Sequence, residues 1–173
     1  MPRKRKEYPD QSTLKRLLSY DPETGVFTRL ATSNGRRLSS ERLGRPAGSI
    51  KGTTGYLVIN IGKQTYYAHR LAFLYMQGSI PEYVDHADQC RSNNVWANLR
   101  ACTHSENLAN RGVQSNCKSG RKGVYRCHKS PRWVAQITVR GKQIKIGSYA
   151  TVEEAAQAYS DASTQYFGEF AKC

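Results

Sequence analysis

Residues 83–110 read Y-V-D-H-A-D-Q-C-R-S-N-N-V-W-A-N-L-R-A-C-T-H-S-E-N-L-A-N, and the rest of the chain is read outward from them. Asp85 and His86 stand side by side, with Asn98 and then Asn107 following. A carboxylate and an amide oxygen are hard ligands that suit Mg²⁺ or Mn²⁺. Mg²⁺ keeps most of its waters, so Asp85 and Asn107 suffice as protein ligands beside a phosphate. A histidine is partly neutral near pH 7, and His86 can take a proton from an attacking water. Asn98 can hold that imidazole in one tautomer. Together these groups suit the hydrolysis of a phosphodiester.

Local signals predict how the segment folds. Residues 84–86 end a short strand, residues 88–94 are turn formers, and residues 95–102 return as a second strand. Thr103-His104-Ser105-Glu106 is a capping box, with Thr103 as N-cap. Asn107 is then expected in the first turns of a helix packed on the hairpin, facing Asp85.

The pieces D-H, N-N-x-x-x-N-L-R and S-E-N-x-x-N resemble the HNH nuclease motif, in the variant where asparagine replaces the last histidine. The resemblance is greatest to phage and intron-encoded HNH homing endonucleases. It implies a ββα fold around one metal ion per site. It also implies that Asp85 and Asn107 bind the metal, that His86 is the general base and that Asn98 orients it.

Composition supports a polyanionic partner. Among 173 residues, Lys and Arg number 27 against 13 Asp and Glu, a formal charge of +14. Nucleic acid is the first candidate, and the resemblance implies double-stranded DNA. An anionic membrane is disfavoured, since no apolar run approaches the ~20 residues of a spanning helix. Residues 1–6 (M-P-R-K-R-K) are basic without a following apolar region, so they read as a phosphate-binding arm rather than a secretory signal. The five cysteines lack C-x-x-C pairs and read as reduced thiols, with Cys117, Cys127 and His128 the remaining zinc candidates. A cytoplasmic protein is expected; the resemblance implies a phage-encoded one acting in a bacterial host.

Upstream, residues 10–18 predict a helix with Leu14, Leu17 and Leu18 as its stripe. Residues 20–25 form a turn and residues 26–28 a short strand. Residues 31–48 read as a loop whose arginines, Arg36, Arg37, Arg42 and Arg45, can follow a DNA backbone. Residues 56–61 and 64–67 form a hairpin turning at Gly62-Lys63. Residues 68–77 are helical and stop at Gly78. His69 is expected as structural support, Arg70 as a phosphate contact.

Residues 111–122 are polar, basic and aperiodic, and read as a linker. Residues 123–127, 133–139 and 143–147 predict three strands, with Trp133, Ala135, Ile137, Val139, Ile144 and Ile146 inward. Thr151-Val152-Glu153-Glu154 is a second capping box, opening a helix striped with small side chains. The uncovered face carries Tyr125, Gln136, Thr138, Arg140, Gln143 and Lys145, and Lys122 and Arg126 join them as expected DNA contacts. Such a sheet can enter the major groove, where Gln pairs with adenine and Arg or Lys with guanine or phosphate. K-G-V-Y, R-W-V-A-Q-I, I-G-S-Y and T-V-E-E-A-A-Q-A-Y resemble the APETALA2-type DNA-binding domain. Tyr125, Gln136, Thr138 and Lys145 stand where plant members mostly use Arg, Glu and Trp, so the resemblance leaves the base preference open.

The expected architecture is α+β: an HNH nuclease region at residues 1–110, a linker at 111–122, and a three-stranded antiparallel sheet on one helix at 123–173. The expected activity is metal-dependent cleavage of double-stranded DNA by a monomer. The alternatives are a DNA-binding regulator with a silent core, and a nuclease without sequence preference.

Overall fold

The computed structural model describes residues 7–32, 43–114 and 117–172. The basic arm at residues 1–6 and the loop arginines Arg36, Arg37 and Arg42 lie outside the described residues. The fold is α+β, in two compact units, Met1–Ala101 and Cys102–Cys173. Among the described residues, no helix is long and apolar enough to cross a membrane.

The first unit opens with helix α1 (Gln11–Leu17), capped by the Asp10 side chain, which accepts from the Thr13 amide. Its leucine stripe is buried as the periodicity requires. The chain runs straight on into β1 (Leu18–Tyr20), which pairs antiparallel with β2 (Phe27–Arg29). The strand at 18–20 was hidden by the helical stripe, because Leu18 serves both patterns. Next come β3 (Ser49–Ile50), β4 (Leu57–Ile61) and β5 (Gln64–Tyr67), one antiparallel sheet in the order β3-β4-β5. Helix α2 (Ala68–Gln77) follows without a break and ends at Gly78. It buries Leu71, Ala72, Phe73 and Leu74 against Leu14, Phe27 and Ile59, the centre of this unit's core.

β6 (Tyr83–His86) and β7 (Leu99–Cys102) form a two-stranded sheet, and α3 (His104–Ala109) follows. Residues 95–98 are not strand, as expected, but a 3-10 turn over Trp96–Asn98. The turn packs Trp96 against Phe73, with ring centroids 4.8 Å apart. The predicted capping box at Thr103 and Glu106 is present, with both reciprocal hydrogen bonds.

In the second unit, β8 (Val124–Arg126), β9 (Trp133–Val139) and β10 (Lys142–Tyr149) form an antiparallel sheet in the order β10-β9-β8. Helix α4 (Val152–Phe167), opened by the Thr151–Glu154 capping box, lays Ala155 and Tyr159 on Ala135 and Ile137. The two-residue turn between β9 and β10 puts both Arg140 (φ 49°) and Gly141 (φ 77°) at positive φ, as a tight hairpin turn requires. A register shift between Lys145 and Gly147 interrupts β10. Ile146 packs on the core, but Ile144, expected inward, remains 36% exposed on this edge strand.

The packing division lies ahead of the motif boundary at residue 110. Ala109 of α3 belongs to the second unit's core, together with Val124 and Tyr159. The described part of residues 111–122 is also tied down rather than free. Ser119 Oγ donates to the Val124 carbonyl at 2.6 Å, and the Lys122 ammonium donates to the carbonyls of Ala109, Arg111 and Lys172.

Candidate active site

β6 carries Asp85 and His86 at its C-terminal end, and both side chains are buried. A buried carboxylate needs compensation. Arg100, across the hairpin on β7, supplies it: Nε and Nη2 each lie 2.9 Å from Asp85 Oδ2. Two charge-assisted donors on one oxygen pair the carboxylate and fix its orientation.

The imidazole of His86 is held by its surroundings. Its Nε2 lies 3.4 Å from Asn94 Oδ1. Asn94 is almost wholly buried; its amide nitrogen donates to the Ser92 carbonyl, so its oxygen faces the ring. A carbonyl oxygen only accepts, so this contact selects the tautomer with its proton on Nε2 and makes Nδ1 the basic nitrogen. Burial is the main influence pressing the His86 pKa down, opposed by Asn94, Asp88 and Asp85. Its neutral, basic form is therefore favoured near pH 7.

Behind His86 stands a wall of rings. His69 sits 5.1 Å from it, centroid to centroid, at 80°. Tyr67 stacks on His69 at 5.4 Å, and Tyr56 touches both imidazoles. The support expected of His69 is thus directed at His86. His69 is buried and, among the described residues, its Nδ1 has no hydrogen-bond partner. Burial, then the charges of His86 and Arg70, lower its pKa from 6.5 to about 3. This has a stability consequence of definite sign. The unfolded chain takes up a proton below pH 6.5 that native His69 refuses until about 3, so stability falls as pH falls through that window. The expected slope from His69 is about 1.4 kcal/mol per pH unit between roughly pH 6 and 4. Urea unfolding across this range should show a shallower slope for His69→Phe. An identical slope in the variant would show that His69 is not held neutral.

Asn98 stands elsewhere than the sequence reading expected. Its amide donates to Asp88 Oδ1 and to the Asn93 carbonyl, both at 2.9 Å, and accepts from the Asp88 amide at 3.0 Å. The group at the imidazole is Asn94 instead, because the 3-10 turn aims residue 98 across the 87–93 loop. Asn98 thus positions the loop that positions Asn94. Asn98→Ala removes three internal hydrogen bonds worth roughly 1 kcal/mol each, so a loss of about 2–3 kcal/mol is expected by denaturant unfolding. A variant as stable as wild type would show the clamp to be dispensable.

The N-terminal segment supports the same loop, which the sequence reading did not anticipate. Tyr20 Oη donates to the Asn94 carbonyl at 2.7 Å, and the Trp96 amide donates to the Pro22 carbonyl at 2.8 Å. Asn94 was legible only as the first half of N-N-x-x-x-N.

Arg70 does not present itself to a phosphate. Its guanidinium donates to the carbonyls of Pro81 and Glu82 at 3.2 Å, fixing the chain as it enters β6. Asn107 lies in α3, half-buried, in the second unit. Among the described residues, no group of three or more His, Cys, Asp and Glu side chains is placed to hold a metal ion. The buried carboxylate of Asp85 remains a fit for a hard, mostly hydrated cation.

On the second unit's uncovered face, the register sets Gln136 opposite Lys145 and Thr138 opposite Gln143, with Tyr125 on the flanking strand. Tyr125 Oη meets Gln136 Oε1 at 3.1 Å. Arg140 lies at the hairpin tip rather than on the sheet face. Two expected contacts are displaced. Arg126 alternates to the opposite face, paired with Trp133 and 5.6 Å above its ring. Lys122 gives its ammonium to internal carbonyls.

Comparison with known proteins agrees with this division. Residues 66–109 match the HNH endonuclease family and residues 119–169 match the AP2 domain. A curated relative, an uncharacterized HNH endonuclease of Acanthamoeba polyphaga mimivirus, is 36% identical over 124 residues. That match takes in 69% of this chain, and the chain spans 63% of the relative's length.

Proposed function

We propose that this chain, which carries an HNH endonuclease domain at residues 66–109 and an AP2 domain at residues 119–169, is a metal-dependent endonuclease that cleaves double-stranded DNA. The observation that supports it most is the buried Asp85–His86 pair, with Arg100 on the carboxylate and Asn94 on the imidazole. HNH nucleases generally use a divalent metal; Mg²⁺ or Mn²⁺, one per site, is the ion proposed here. Asp85 would hold it. Asn107 is proposed as the second ligand on the strength of S-E-N-x-x-N alone. When bound, the ion supplies Lewis-acid stabilisation of the charge on the phosphate and the departing oxygen.

The chain's own residues do the rest. His86 Nδ1 takes a proton from water as the water oxygen bonds to phosphorus. The P–O3′ bond breaks in line and its electron pair leaves on O3′, which takes a proton from solvent. The products are a 5′-phosphate and a 3′-hydroxyl. Arg100 pairs with Asp85 and holds its orientation, and Asn98 and His69 position the base. The AP2 domain reads the site through Tyr125, Gln136, Thr138, Gln143 and Lys145, with Arg140 at its tip. Action as a monomer, homing-type site preference and a viral gene working in a host cytoplasm complete the proposal.

The test is conversion of supercoiled plasmid with Mg²⁺, with and without EDTA. Metal-dependent nicked or linear product supports the nuclease and shows whether one strand is cut. Salt-sensitive binding to many DNAs without any product would instead favour a regulator with a silent core.

A further inference from the structure

We infer that Arg91 is a catalytic residue of this site, its guanidinium binding the non-bridging oxygens of the phosphate under attack. The inference rests on the nuclease proposal above. Arg91 lies in the loop between β6 and the 3-10 turn, which also carries Asn94. It is exposed, yet held in place. Nη1 donates to the Thr54 carbonyl at 2.9 Å, and Cζ sits 5.2 Å above the Tyr56 ring. The same Tyr56 ring packs on His86, with centroids 5.9 Å apart. Arg91 and the base are therefore fixed against one aromatic plate.

This is an arrangement made for an anion. The only protein partners of Arg91 among the described residues are a carbonyl and a ring face, and neither neutralises it. Here the fork is anchored by one edge, and its other N–H groups remain to form the paired hydrogen bonds that a phosphate accepts. As water adds to phosphorus, charge grows on the non-bridging oxygens, and a pre-positioned guanidinium stabilises that state more than the ground state. Arg100 cannot do this, since it is committed to Asp85. Arg70 cannot either, since it holds the carbonyls of Pro81 and Glu82.

The experiment compares wild type, Arg91→Met and Arg91→Lys. Single-turnover plasmid cleavage with Mg²⁺ is one readout. The salt dependence of binding to a 30-base-pair duplex in EDTA is the other. Arg91→Met should lower the cleavage rate about 10²–10³-fold. It should also flatten the slope of log K against log salt by about 0.9, the loss of one phosphate contact. Arg91→Lys should restore the slope but only part of the rate, since a point charge lacks the fork. Thermal unfolding separates a merely structural role: a variant that melts earlier while keeping the wild-type slope would overturn the inference. So would wild-type cleavage by Arg91→Met. Failure of the nuclease proposal looks different. Wild type would not cut at all, while the slope change in Arg91→Met would keep Arg91 as a phosphate contact.

Discussion

His86→Ala should reduce DNA cleavage by roughly 10²–10⁴-fold, the range of a general base, while leaving DNA affinity within a few-fold of wild type. Binding is expected to survive because His86 is buried and no part of the proposed reading face lies near it in the chain. The pH dependence carries a second signature. Only the neutral imidazole can take the water's proton, and burial lowers its pKa below 6.5. Wild-type cleavage should therefore hold through neutral pH and fall only in more acidic solution, with the rate lost as pH drops through the depressed value. The residual rate of His86→Ala should lack that limb. Gel quantification of nicked product in single-turnover experiments measures both. A variant that cleaves comparably, or that keeps the acid limb, would remove His86 from the mechanism.

Gly123→Ala should unfold the second unit, or come close to it. Gly123 has φ +67°, a conformation costly for any residue with a side chain. A Cβ there would lie 2.0 Å from Tyr159 Cε2 and 2.7 Å from the Gln136 carbonyl oxygen. Tyr159 is a buried anchor of α4 and cannot swing out without emptying the core. The Gln136 oxygen is backbone within the sheet and cannot yield. Steric overpacking and backbone strain each cost roughly 1–3 kcal/mol, so a loss of several kcal/mol is expected. Gly120→Ala is the matched comparison. It too has positive φ, +64°, but nothing within 4 Å of the added carbon, so only the strain remains. Calorimetry should show the unfolding of this unit shifted far down for Gly123→Ala and slightly for Gly120→Ala, with DNA affinity falling in the same order. Equal shifts would mean that the close approach to Tyr159 is not what requires glycine.

The ββα order, the two capping boxes, α2 to the residue and the three strands of the second unit were all legible because each depends on local chemistry. Thr103 and Thr151 cap helices through residues three positions away, and the leucine stripe of α1 is a matter of spacing alone. The errors share a different cause. Asn94 and Asn98 are chemically identical, and which one reaches His86 depends on a 3-10 turn docked by Trp96 on Phe73. Arg70, Arg91, Arg100 and Lys122 are equally basic in sequence. Only the carbonyls, rings and carboxylate that folding brings to each decide which one remains available to an anion.

By itself the sequence determined the chemistry available to this protein: a carboxylate beside an imidazole, an excess of cations, and two modules with caps and alternation of their own. The tertiary structure alone decided the assignments. It placed Asn94 on the imidazole, turned Arg126 to the covered face and set the ring of His69 behind His86. The physical reason is that hydrogen bonding and ring packing act over a few ångströms between residues tens of positions apart, where spacing along the chain carries no information.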